Sequence, residues 1–388
     1  MVDRHRKSGK VVLRQTFCPE VRMPINETYR TWIQRICEVT APFSRELRPK
    51  QRITQVQNLV WLLVGIYHSH SVHLSKIAGK VISNAKNEST VRRLSRFLAN
   101  SAIDVRRWYK PIAKGWLQSQ FERVGEIRLM IDGTKIGFGH QLLMVSLAFH
   151  HRAVPMAWTW IPYVRGHSTG QRQVKLLKYV RNLLPPTAPV FVVGDSEFGS
   201  IFVLRQLDVW HWFYVLRQKG NTGLWLNEQT GWKDLASFVQ KAGQSAWCPK
   251  AYLTQEEMYP VSVLIYWQVG EKEPWCLATN LPDANLTVRY YRRRMWIEEM
   301  FGDFKKHGFD LEGTMLHHAH RLSRLTLAVA FLYDWLLSVG SQTIRTGLRH
   351  LVDRKDRRDL SLFQIGLRFI DRKLLHSLSI SVPLYVHS

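Results

Sequence analysis

Ile127-Arg-Leu-Met-Ile-Asp132 and Pro189-Val-Phe-Val-Val-Gly-Asp195 are the two stretches that decide how this chain folds. Each is a short, mostly apolar run ending in a carboxylate, the pattern of a strand buried on both faces. Between them, Gln141 to Trp160 is rich in apolar and aromatic residues and predicts two antiparallel strands. Gln171 to Leu184 has helical spacing and stops at Pro185-Pro186. A helix through Ile201 to Leu207 and a strand through Trp212 to Leu216 follow. This succession describes an α/β layer, a mixed sheet with flanking helices. In such sheets ligands bind beyond the C-terminal ends of the strands, where both aspartates stand.

Of 388 residues, 55 are Lys or Arg and 30 Asp or Glu, a formal charge of +25. With 45% hydrophobic and 12% aromatic residues the chain can bury a large core, which excludes disorder as its overall state. A charge of this size repels itself in a compact fold and calls for a polyanion, nucleic acid before an anionic membrane surface. The longest apolar runs, Leu59 to Tyr67 and Leu325 to Gly340, fall short of the roughly 20 residues that span a bilayer. Met1 to Lys10 is polar and basic, unlike a signal peptide. Cys18, Cys37, Cys248 and Cys276 show no CxxC spacing, which fits a reducing cytoplasm and no structural zinc site.

Residues 1–125 read as a helical DNA-binding domain, with about 23 Lys/Arg against about 8 Asp/Glu. Within it, His73 to Val81 and Val91 to Leu98 form a helix-turn-helix candidate, the second helix capped by Ser89 or Thr90. Leu94, Phe97 and Leu98 point one way, and Arg92, Arg93 and Arg96 project from the other side. The alternative is an ordinary bundle with a solvated basic face. Residues 126–218 form the first part of the α/β core. Residues 219–282, punctuated by Gly, Trp and Asn, read as a β-rich insertion. The core resumes over 283–340, and 341–388 is a helical tail.

From Leu286 to His307 the spacing predicts one long helix, with Gly308 as a natural C′ residue. Tyr291, Arg294, Glu298 and Lys305 fall within an arc of roughly 60° on it. One stripe thus carries a phenol, a guanidinium, a carboxylate and an ammonium. On its own it reads equally as a solvated ion-pair ladder. Over an edge that holds Asp132 and Asp195, it supplies a third oxygen ligand for a hard cation beside phosphate-holding groups.

Tyr291-x2-Arg294-x3-Glu298-x6-Lys305 resembles the Y-R-E-K signature of bacterial insertion-sequence transposases of the IS-four family, which are DDE transposases. Ile131-Asp132-Gly-Thr resembles the first Asp motif and Val193-Gly-Asp195-Ser-Glu-Phe the second, where the family often has Asp-Arg and this chain has Asp195-Ser196. The resemblance spans about residues 127–310 and implies an RNase H-like catalytic core. It implies that Asp132, Asp195 and Glu298 hold two Mg²⁺ ions (Mn²⁺ as the alternative) about 3.5–4 Å apart, for water and then a 3′-hydroxyl to attack phosphorus. It further implies DNA contacts from Tyr291, Arg294 and Lys305, excision through a DNA hairpin, and a homodimer synapsing two transposon ends with target DNA. A cytoplasmic, nucleoid-associated bacterial enzyme is expected. The resemblance also puts Trp275, in Glu273-Pro-Trp-Cys-Leu-Ala-Thr279, where related enzymes stack a flipped base, although most of the 15 tryptophans must serve packing.

Two other readings stay open: a metal-dependent nuclease on the same fold that does not join strands, and a non-catalytic DNA-binding derivative. His68-Ser-His70-Ser-Val-His73 and His317-His318-Ala-His320 lack metal-site spacing and read as DNA-facing or structural histidines.

Overall fold

The computed structural model describes residues 49–378, apart from 82, 138, 163–166 and 377. Expectations that fall on residues 1–48 or on the end of the tail, including Cys18, Cys37 and the first ten residues, lie outside the described residues.

The sheet is built from the centre. Strand β1 (Ile127–Ile136) pairs antiparallel with β2 (His140–Phe149), which pairs antiparallel with β3 (Arg152–Ile161). All ten residues of β2 are buried. Because strand side chains alternate between faces, helices must cover both. On its other side β1 runs parallel to β4 (Val190–Gly194), and β4 parallel to β5 (Phe213–Gln218). The crossovers are α5 (Gly170–Arg181), ahead of β4, and α6 (Ile201–Val209), ahead of β5.

The 219–282 segment does not stand apart from this sheet. Strands β6 (Gly223–Trp225), β7 (Trp232–Asp234), β8 (Ser245–Leu253), β9 (Tyr259–Tyr266) and β10 (Trp275–Thr279) extend it to ten strands in the order β3-β2-β1-β4-β5-β10-β9-β8-β6-β7. The join is β10 on β5, antiparallel, with Cys276 opposite Gln218. The free edge of β5 is thereby paired and its backbone groups satisfied.

Ahead of the sheet stand α1 (Pro49–Ser69), α2 (Leu74–Ala78), α3 (Asn87–Ala99) and α4 (Val105–Val124). After it come α7 (Ala284–Tyr291), α8 (Met295–Phe304), α9 (Ala319–Arg345) and α10 (Leu362–Leu375). Helix α9 is the hub. It packs on α1, α3, α4, β3 and α10, and Arg324 donates to the carbonyls of Leu98 (3.0 Å) and Ile103 (3.1 Å). By length and apolarity α9 meets the requirement for a membrane span, contrary to the reading of its apolar run as too short. Its apolar residues are buried against the rest of the protein, as in the core helix of a folded domain.

Two helix predictions need correction. The second helix of the N-terminal pair starts at Asn87, so Ser89 and Thr90 lie inside its first turn, with Lys86 as N-cap. Thr90 is buried in the core, and Glu88 supplies the negative charge that a helix N-terminus favours. The helix expected over 286–307 is two helices, interrupted by a 3-10 turn at Arg292–Arg294 and ending at Phe304. A 3-10 turn within a helical run tightens the backbone and breaks the regular 100° stripe.

Candidate active site

Asp132 lies within β1 opposite Met144, and Asp195 follows Gly194, whose strand runs parallel to β1 with Ile131 facing Gly194. The register thus sets the two carboxylates side by side at one sheet edge. Asp132 is only 6% exposed. Burial first, then the charge of Asp195, pushes its carboxyl up to about 7; Arg294 and the Gly133 N–H pull it down, and Glu298 adds to the rise. A buried carboxylate crowded by two others favours a cation.

Arg294 supplies positive charge there. Its Nη1 stands 2.5 Å from Glu298 Oε1 and 3.8 Å from Asp132 Oδ2. Burial opposes the guanidinium charge, but Tyr291, Glu298 and Asp132 outweigh that and raise its pKa. Among the described residues no three His, Cys, Asp or Glu side chains are gathered as metal ligands. In this arrangement the guanidinium stands in for a cation between two of the three carboxylates. The donor set fits a hard divalent ion, since it offers only oxygens and an excess of negative charge.

The geometry separates Glu298 from its neighbour. Glu299 pairs with Arg152 at 2.9 Å, on the other side of α8, and Arg152 Nε also lies 3.6 Å from the buried Asp303. Only Glu298 turns toward Asp132. Lys305 is not carried along the same stripe. It caps α8, and its ammonium pairs with Glu312 at 3.2 Å.

Tyr291 is buried on α7 with its ring edge-on to Trp275 (5.1 Å, 64°), and Trp275 also meets Tyr266 at 5.8 Å. Burial raises the Tyr291 phenol, with Arg294, Arg217 and Asp195 all near enough to act on it. Trp275 is half-buried at the start of β10. Since β10 is antiparallel to β5, that start lies at the edge where β4 and β5 end. The aromatic cluster and the aspartates therefore share one side of the sheet.

Two supporting groups carry no signal that the sequence reading used. Glu197, two residues after Asp195, accepts hydrogen bonds from Ser168 N (2.7 Å), Ser168 Oγ (2.5 Å) and Gln141 Nε2 (3.0 Å), while its own N–H donates to Asp195 Oδ1 at 2.9 Å. The clamp needs Gly133, because a Cβ there would sit 2.6 Å from Gln141 Nε2. Arg217, at the end of β5, donates to Glu273 (2.5 Å) and Pro274 O (3.4 Å), and so anchors the turn that presents Trp275.

The N-terminal arginines behave unequally. Arg92 and Arg96 are exposed, whereas Arg93 leans across α1, donating to Asn58 at 2.7 Å with its guanidinium 4.1 Å over the Trp61 ring. Arg93 and Arg96 line a cavity of about 800 Å³ between α1 and α3.

Among solved structures, the chain is similar to a piggyBac transposase in a synaptic complex with hairpin DNA, at 10% identity and a TM-score of 0.41, over 92% of this chain and 86% of that one. A search of curated proteins finds no match. The transposase DDE domain family matches residues 132–335, which begin at the first aspartate, contain Asp195 and Glu298, and make up more than half of the chain. The chain belongs to that family and is a DDE transposase, an enzyme that cleaves and joins DNA.

Proposed function

We propose that this is a cut-and-paste transposase of the IS-four type, with an RNase H-like core and with Asp132, Asp195 and Glu298 as its catalytic carboxylates. The observation that carries the reading is the mutual placement of these three: parallel pairing of β1 and β4 aligns the aspartates, and Arg294 ties Glu298 toward Asp132. The strand order β3-β2-β1-β4-β5, three antiparallel strands followed by two parallel ones, supports the RNase H-like assignment.

Divalent ions, Mg²⁺ or Mn²⁺, bound by these carboxylates would supply Lewis-acid activation of water or a 3′-hydroxyl and stabilise the leaving 3′ oxygen. The chain's own groups do the rest. Arg294 relinquishes the carboxylates and turns its fork to a phosphate, for which planar bidentate geometry suits it. Lys305, once released from Glu312, and Tyr291, once its cluster with Trp275 opens, take the strand on either side, and Arg217 fixes the Trp275 turn. Trp275 offers a half-buried aromatic face to an unstacked base, as an excision step through a DNA hairpin requires. The basic N-terminal region binds the transposon ends. A homodimer brings two ends together with target DNA, in the cytoplasm at the nucleoid.

Strand joining separates this reading from a hydrolytic nuclease. Incubated with Mg²⁺, labelled DNA carrying the sequences that flank its own gene, and an unlabelled target, the protein should produce covalent end–target products that need a free 3′-hydroxyl. Cleavage with no joined product at any target concentration would make it a nuclease instead.

A further inference from the structure

On the far side of α8 from Asp132 lies a second cleft of about 980 Å³, walled by the end of α4, the β2–β3 turn, α8, the end of α9 and the approach to α10. Five arginines line it, with His150 and His151 in the turn, against Glu299 and Asp359. Both acidic groups are engaged, Glu299 by Arg152 and Asp359 by Arg357 at 3.1 Å. Among the described residues Arg345 and Arg358 are exposed and form no ion pair, and Arg123 is exposed beside His150, its Nη1 2.7 Å from Nε2. An aromatic group stands in the same wall. Trp296, two residues before Glu298, is half-buried with its ring 4.9 Å from that of His151.

We infer that this cleft binds a short single-stranded segment of DNA, resting on the transposase reading given above. Two exposed guanidinium groups without an ion pair, Arg345 and Arg358, stand beside a half-buried indole, while Arg152 and Arg349 are held by Glu299 and Asp353 and Arg123 by Gln120. Free cations next to an aromatic face are the arrangement that holds a phosphate backbone while stacking a base. The volume lies at the upper end of sites that engulf small ligands, so it takes a few nucleotides of one strand and not a duplex. Trp296 and Glu298 share one helix turn. A strand seated on Trp296 therefore passes from this cleft to the carboxylate edge around α8, which suits the strand freed when a DNA end is cut.

The test uses the full chain and fluorescence anisotropy, with a single-stranded oligonucleotide of about 12 nucleotides and the same sequence as a duplex. The double substitution Arg345→Ala with Arg358→Ala should weaken single-strand binding roughly tenfold and lower the salt slope by about 1.4, the value for two lost phosphate contacts. Trp296→Leu should weaken it with the slope unchanged, because a stack carries no counterion. Three results would overturn the assignment: unchanged affinity and slope in the double variant, an equal loss for the duplex, or displacement of the oligonucleotide by polyglutamate at equal charge concentration, which marks an acidic protein partner. End cleavage by the unmodified protein, measured in parallel, reports on the transposase reading alone. Its presence with an unaltered anisotropy series would leave that reading standing and remove this one.

Discussion

Asp132, proposed above as one of three catalytic carboxylates, sits in an environment that makes a prediction about pH. Burial, then Asp195 and Glu298, raises its pKa from 3.8 to about 7 in the folded state. Between those values the folded protein binds a proton that the unfolded chain has released. Stability from this group is thus present below pH 4 and lost as pH rises through 7. The loss is on the order of 4 kcal/mol from the size of the shift. Metal-free protein should therefore melt at falling temperature from pH 5 to pH 8, and Asp132→Asn should flatten that decline. Asp303, pushed up to about 6 mainly by burial, contributes a decline of the same sign. The comparison is therefore the difference between the two proteins across the range. Equal slopes in scanning calorimetry would mean that burial and the neighbouring carboxylates do not raise Asp132 in this way. At this scale the sequence named candidates and was weak on posture. Strand ends marked Asp132 and Asp195 and helical spacing marked Glu298, yet nothing in either told that Arg294 would sit between two of them, that Glu197 would clamp the turn, or that Lys305 would pair with Glu312. Those depend on contacts across the fold that no local pattern encodes.

At the scale of elements, the sheet was legible because apolar runs and turn residues are local signals. Strands β1 to β5 and the helices between them lie where the patterning put them, within a few residues. Two features were not legible. The 3-10 turn at Arg292–Arg294 is invisible to a periodicity argument, which treats 286–307 as one helix. The continuation of the sheet through β10 depends on which edge the segment pairs with, a long-range choice. The tail also hides a close contact between α9 and α10. A Cβ on Gly366 would lie 2.0 Å from the Leu336 carbonyl oxygen, and one on Gly340 would lie 2.1 Å from that of Leu362. Backbone cannot yield as a flexible side chain does. Gly366→Ala should destabilise by about 3 kcal/mol in urea unfolding, at the upper end of overpacking costs. A change below 1 kcal/mol would mean that the two helices do not meet this closely.

For the whole molecule, the charge of +25 includes basic groups on several surfaces that the proposed function assigns to DNA. Arg92 and Arg96 are exposed on α3, arginines line the cleft behind α8, and Arg294 stands among the carboxylates. Replacing Arg92 and Arg96 with Ala should weaken binding to end-containing duplex and reduce its salt slope by about 1.8, or two phosphates on B-form DNA. An unchanged slope in a salt titration would move end recognition to another surface. Helices α3 and α4 pack on α9, as do β3 and α10, so the helices ahead of the sheet and its outer strand share one core helix.

The most direct measurement takes Asp132→Asn, Asp195→Asn and Glu298→Gln one at a time through Mg²⁺-dependent cleavage of end-containing DNA, with duplex binding measured on the same preparations. Each should lose cleavage by at least roughly a thousandfold, the scale on which removing one electrostatic stabiliser of a transition state acts, while binding stays within a few-fold. Cleavage at an undiminished rate by any one of the three, with normal binding, would contradict the assignment of that carboxylate and with it the three-carboxylate site.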